Sequence, residues 1–135
     1  MATLVTGGSG FIGSHTCVEM LNAGREIVVV DNYCNSNPEA LVRVRELTGK
    51  DFKQYDVDVR DREGLRRIFT ENNIDSVIHF AGLKAVGESV QMPIEYFDNN
   101  LISTLGCWKL CGNLVANVWC SARQPPCTAP AINRP

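Results

Sequence analysis

Apolar positions along the chain follow two alternating rhythms. Thr3-Leu4-Val5-Thr6 is a short apolar run that ends at once in Gly7-Gly8-Ser9-Gly10, as a buried parallel strand does when it meets a turn. Phe11 to Ala23 then reads as a helix, with Gly24 marking its end. Glu26 to Asp31 is a second strand, β-branched at its centre and closed by an acid, and Asn32 to Asn37 is the loop behind it. Pro38 fits the first turn of a helix that runs to about Leu47. Phe52 to Val57 predicts a third strand. Arg60 to about Asn72 predicts a third helix, in which Leu65, Ile68 and Phe69 recur at helical spacing. Ile74 to Phe80 leads through a fourth strand, Ala81 to Gln91 reads as a loop, and a last helix spans about Pro93 to Leu105.

Strands separated by helices imply an α/β fold with a parallel sheet, right-handed crossovers and helices on both faces. After Leu105 the rhythm stops. The stretch from Gly106 to Pro135 has no clear period and holds Cys107, Cys111, Cys120 and Cys127, four of the 6 prolines and both tryptophans. Two segments are therefore expected: residues 1–105 as an ordered half-domain, and residues 106–135 as a tail with no domain of its own.

Composition narrows the function classes. The chain is 44% hydrophobic and 21% charged, ordinary values for a globular protein. A net charge of −2 gives no electrostatic case for nucleic acid or an anionic membrane as partner. No apolar run reaches the ~18 residues of a membrane span, and the N-terminus lacks a signal-like pattern, so a cytoplasmic location is expected. The tail cysteines lack Cys-x-x-Cys spacing and a neighbouring His, which argues against zinc. A disulfide framework does not suit a reducing compartment.

The candidate chemistry sits at the first turn. Gly7, Gly10 and Gly13 stand at three-residue spacing between a strand and a helix. Gly7 permits the tight turn, Gly10 admits a pyrophosphate close to the backbone, and Gly13 lets helix and strand approach. The helix start then offers N–H groups and a positive dipole to phosphates. Asp31 closes the second strand at the distance expected for an acid that binds an adenosine ribose. A carboxylate there accepts from the 2′-hydroxyl and repels a 2′-phosphate, so NAD is expected rather than NADP.

The Gly-x-x-Gly-x-x-Gly spacing resembles the extended short-chain dehydrogenase/reductase superfamily. Three strings narrow the resemblance to the UDP-glucose 4-epimerase family: Val5 to Thr16, Asp31 to Ser36, and His79-Phe80-Ala81-Gly82-Leu83-Lys84-Ala85-Val86-Gly87-Glu88-Ser89-Val90. The likeness covers residues 1 to about 105. It implies a doubly wound, Rossmann-like sheet with strand order 3-2-1-4, left incomplete because the fifth strand is lost, so that the fourth strand becomes an open apolar edge. It also implies roles by position. Phe11 and Ile12 meet the pyrophosphate through their N–H groups. Asp31, Asn32, Asn35 and Ser36 surround the adenosine ribose, and Asp58 and Val59 hold the adenine. Phe80, Ala81 and Gly82 line the middle of the cofactor site, Lys84 reaches the nicotinamide-side ribose, and Asn99 stands at the inner end.

Chemistry of that kind, as the resemblance implies it, interconverts UDP-glucose and UDP-galactose through a transient 4-keto sugar, with NAD retained as the redox partner. Its base is a tyrosine in Tyr-x-x-x-Lys, one helical turn from a lysine that lowers the phenol's pKa. Four residues beyond Tyr33, Tyr55 and Tyr96 stand Asn37, Val59 and Asn100, so no such pair occurs. No catalytic residue is expected in this chain, and it reads as an inactive fragment. The resemblance is compatible with a homodimer of the intact protein. The rival readings are a non-catalytic NAD-binding module and a fragment of another sugar-nucleotide enzyme, such as a dehydratase.

Residues 106–135 also read as the product of a shifted reading frame. New codons built from the last base of one codon and the first two of the next give Leu from Cys107-Trp108, Glu from Trp108-Lys109 and Val from Trp119-Cys120, and they allow Phe from Cys120-Ser121. Successive pairs from Ser121 to Ala129 allow Ser-Ser-Ser-Ala-Thr-Val-Tyr-Gly, the string that the family resemblance leads one to expect at that place. The expected slip lies near residues 101–107.

Overall fold

The computed structural model describes residues 1–83, 85–114 and 118–121. Five parallel strands form one sheet: β1 (Ala2–Thr6), β2 (Glu26–Asp31), β3 (Lys53–Asp56), β4 (Ile74–His79) and β5 (Val118–Ser121), in the order β3-β2-β1-β4-β5. Helices α1 (Phe11–Asn22), α2 (Glu39–Thr48), α3 (Arg62–Glu71), α4 (Val86–Gln91) and α5 (Pro93–Leu114) make the crossovers. Leu4 pairs with Val28 on one side and Val77 on the other, and Val5 with Val29 and Ile78.

Side-chain alternation along these strands builds two cores, because successive residues of a strand point to opposite faces. Leu4, Val28, Val30 and Val77 pack with Leu65 and Ile68 of α3 and with Cys107 and Leu110 of α5. Val5, Ile27 and Val29 pack with Cys17 and Leu21 of α1 and Leu41 and Val44 of α2 on the opposite face. That is why the central run Ile27 to Val30 of β2 is continuously apolar. Local signals bound the helices. Asp61 caps α3 by accepting from the N–H groups of Glu63 and Gly64, and Gly49 closes α2 in the left-handed region at φ 63°. Burial raises the thiol pKa of Cys107 and Cys111, that of Cys111 to about 11, so both act as core apolar groups.

The order 3-2-1-4 is present as expected. Three expectations need correction. First, the edge of β4 is not open: β5 pairs with it in parallel from Ser76↔Val118 to His79↔Ser121. Second, α5 does not stop at Leu105 but continues to Leu114. Leu110 and Cys111 bury against the sheet at helical spacing after Cys107, and that packing carries the helix onward. Third, the stretch expected as a loop from Ala81 to Gln91 contains α4, six residues long. The lost-strand expectation fails because ladder hydrogen bonds belong to the backbone, so the short β-forming run Val118-Trp119-Cys120 pairs with β4 without a family-like sequence. Among the described residues, no helix is long and apolar enough to cross a membrane.

Candidate functional site

The sheet's order reverses at β1, whose neighbours β2 and β4 run off to opposite sides. A crevice at the carboxyl ends of strands at such a switch point is where open α/β sheets take ligands. Here it is a cleft of about 310 Å³.

Its floor is the glycine turn. Gly7 sits at φ +70°, and a Cβ there would lie 2.6 Å from the Ala81 backbone nitrogen. A Cβ on Gly13 would lie 2.3 Å from the Gly7 carbonyl oxygen. Both distances are inside any tolerable contact, so the β1 turn, the start of α1 and the end of β4 close up only with glycine at these positions. Gly10 differs: its nearest obstacle is the Gly7 oxygen at 3.3 Å, and the residue lines the cleft. Gly10 is also the N-cap of α1, where no side chain caps the helix and no acid occupies the first turn. The start of α1, with Phe11, Ile12 and Gly13, thus faces the cleft with helix N–H groups that the side chains leave for a ligand.

Asp31 closes the β2 side. Its buried carboxylate accepts from the Ser9 N–H at 2.9 Å, the Tyr33 N–H at 3.0 Å and the Ser36 hydroxyl at 2.9 Å. It therefore ties the glycine turn to the loop after β2, where Tyr33 adopts φ 53°. Asn32 donates to Asp58 at 3.1 Å, bringing the ends of β2 and β3 together. Arg60 grips the same carboxylate at 2.9 and 2.7 Å and holds its pKa down at about 2, with Asn32 adding to the effect. Asn35, Ser36, Asp58 and Val59 all line the cleft.

The β4 side supplies Phe80, Ala81 and Gly82 from the strand end, with Asn99 from α5. Asn100 clamps the loop here: its Oδ1 accepts from the Leu83 N–H at 2.8 Å and its Nδ2 donates to the Leu83 carbonyl at 3.2 Å. Lys84, expected at the nicotinamide-side ribose, lies outside the described residues. Every other residue expected at the site lines this one cleft. Three lining residues were not anticipated, namely Cys34, Leu83 and Ser103. Each had a signal: Cys34 and Leu83 sit between expected residues in the chain, and Ser103 follows Asn99 by one helical turn on α5. Among the described residues, no group of three or more His, Cys, Asp or Glu is placed to hold a metal ion.

Comparison with known proteins agrees with this geometry. A family model described as GDP-mannose 4,6 dehydratase matches residues 4–117. The UDP-glucose 4-epimerase of Haemophilus influenzae is 64% identical over 105 residues, which cover 78% of this chain and 31% of that protein. The UDP-glucose 4-epimerase of Bacillus subtilis is 64% identical over 104 residues, 77% of this chain and 31% of that protein. Among solved structures, the UDP-glucose 4-epimerase of Bifidobacterium longum, in complex with NAD+ and UDP, superposes with a TM-score of 0.89 at 55% identity, covering 92% of this chain and 37% of that one. The chain thus spans about a third of the length of the relatives it matches. On a family match that runs through most of its length, this chain belongs to the GDP-mannose 4,6 dehydratase family and is related to the UDP-glucose 4-epimerases.

Proposed function

We propose that this chain is the NAD-binding lobe of a cytoplasmic UDP-glucose 4-epimerase, whose intact form interconverts UDP-glucose and UDP-galactose. The observation that carries the proposal is the pairing of an uncapped α1 start with Asp31 across one cleft. The residues fit the dinucleotide. The missing Cβ of Gly10 leaves room for a pyrophosphate against the helix start. A carboxylate offers about four acceptor positions; Asp31 uses three on protein donors, which leaves room for a ribose hydroxyl.

When bound, NAD supplies reversible hydride acceptance at the sugar's C4. The chain's own part is to bind and orient. The N–H groups at the start of α1 donate to the diphosphate, and Asp31 fixes the ribose and repels a 2′-phosphate. Phe80, Ala81 and Leu83 form the wall that keeps water from the redox end. With no Tyr-x-x-x-Lys in its 135 residues, the chain itself holds no proton-transfer pair for the 4-hydroxyl. The 64% identity to epimerases favours epimerase over dehydratase chemistry.

Two further points belong to this reading. Residues 106–135 derive from a shifted frame; in support, β5 falls where that frame places Val, Phe and Ser. The intact protein is a homodimer paired through α5. In support, Ile94, Phe97, Leu101, Leu105 and Trp108 are exposed along one side of that helix. Glu95 and Asp98 lie toward one end of this stripe and Lys109 toward the other, so two copies related by a twofold axis align opposite charges.

The test of the site is titration of the 15N-labelled chain with NAD. The amide signals of Gly7, Phe11, Ile12, Gly13 and Asp31 should shift, while those of Lys50 and Asn73, at the other end of the sheet, stay in place. Shifts confined to the Lys50 end would overturn the assignment.

A further inference from the structure

His79 ends β4 with 2% of its surface exposed. A buried imidazole needs partners for its ring nitrogens, and His79 finds them on two different elements. Nδ1 lies 2.7 Å from Thr6 Oγ1 at the end of β1, and Nε2 lies 3.2 Å from Thr104 Oγ1 on α5.

The other contact of Thr104 sets the direction of both bonds for the neutral ring. Thr104 Oγ1 donates its single proton to the Asn100 carbonyl oxygen at 2.8 Å. It therefore meets Nε2 with a lone pair, and Nε2 carries the ring proton. In the neutral ring Nδ1 is then bare, and Thr6 Oγ1 donates to it while accepting from the Ala81 N–H at 3.5 Å. The bonds run in one sense from Ala81 through Thr6, His79 and Thr104 to Asn100, whose amide clamps Leu83. Both ends of the route, Ala81 and Leu83, are cleft wall. The route never touches Asp31, which works on the β2 side of β1.

We propose that His79, as the neutral Nε2–H imidazole, is a positioning residue that holds the Ala81–Leu83 wall for the half of the dinucleotide remote from Asp31. The proposal rests on the NAD reading above. It assigns His79 a task that space-filling alone would not require: coupling α5 to the sheet so that the loop after β4 keeps one shape.

Two variants break the same bond from opposite sides. His79→Asn keeps an acceptor for Thr6 and loses the donor to Thr104; Thr104→Val removes the hydroxyl and keeps the volume. Calorimetric titration of the 135-residue chain with NAD and with AMP, which reaches only the Asp31 end, separates the two halves of the cleft. Each variant should bind AMP as the unmutated chain does and bind NAD more weakly, on the order of fivefold for one buried hydrogen bond. The double variant should lose little more than either single one. Long-range 1H–15N spectra should show the ring proton of His79 on Nε2. Equal losses for NAD and AMP, no loss for either, or a proton on Nδ1 would overturn the positioning role and leave the NAD reading standing. Failure of the unmutated chain to bind NAD or AMP would overturn both.

Discussion

Asp31 has two tasks, and they pull its variants in two directions. Its carboxylate anchors the glycine turn through Ser9 and stands ready for a ribose hydroxyl. Asp31→Ala should weaken NAD binding on the order of tenfold or more, the scale of a hydrogen bond to a charged group. NADP should lose less, because the repulsion of its 2′-phosphate goes too; the NAD-to-NADP affinity ratio, read by fluorescence titration, should therefore fall. Asp58 gives a pH signature. Arg60 holds its carboxyl at about 2, below the ordinary value of about 3.9. A carboxyl made more acidic by folding stabilises the fold above its ordinary pKa and loses that contribution as pH falls through the folded value. With 32% of the side chain exposed, screening limits the contribution to about 1 kcal/mol. Arg60→Gln should be less stable than the unmutated chain by that amount in urea melts near pH 6. The two curves should converge as the pH falls from about 4 to about 2. At this scale the site was legible wherever one residue type answers one geometric need, as with Gly7, Gly13 and Asp31. The bond from Asn32 to Asp58 joins residues 26 positions apart, and no local pattern announces such a partner.

The elements follow the same division. β1 and β2 carry apolar residues on both faces because both are covered, and a continuous run such as Ile27 to Val30 marks such a strand directly. α4 leaves no helical signature in the sequence because six residues are too few to establish a period. β5 was invisible for a different reason. Its pairing depends on the edge that β4 offers, which is a property of the folded sheet and not of Val118-Trp119-Cys120. α5 carries the most consequential exposed surface, with Phe97 66% and Leu101 52% exposed on one stripe. Apolar stripes of this kind mark interfaces. If two copies pair there, Leu101→Glu places like charges face to face at the twofold axis. Sedimentation velocity should then show a dimer of the unmutated chain and a monomer of the variant; two identical profiles would remove α5 as the interface.

In the molecule as a whole, cofactor binding and turnover separate. Residues 1–135 carry the cleft but no Tyr-x-x-x-Lys pair, and loss of a general base alone costs on the order of 10²–10⁴ in rate. The purified chain should give no measurable conversion of UDP-galactose to UDP-glucose in a coupled assay. Genomic DNA should show, one or two bases out of phase near codons 101–107, a frame that encodes Ser-Ser-Ser-Ala-Thr-Val-Tyr-Gly and then a Tyr-x-x-x-Lys. An open frame without that pair would return residues 106–135 to a tail in its own right. All of this depends on the chain folding into a site that takes NAD and refuses a 2′-phosphate. Calorimetric titration of the unmutated 135-residue chain with NAD and, separately, with NADP tests it most directly. NAD should bind saturably at one to one and NADP at least tenfold more weakly, the scale set by one charged contact at Asp31. Equal affinities, or no heat from NAD with the chain folded, would contradict it.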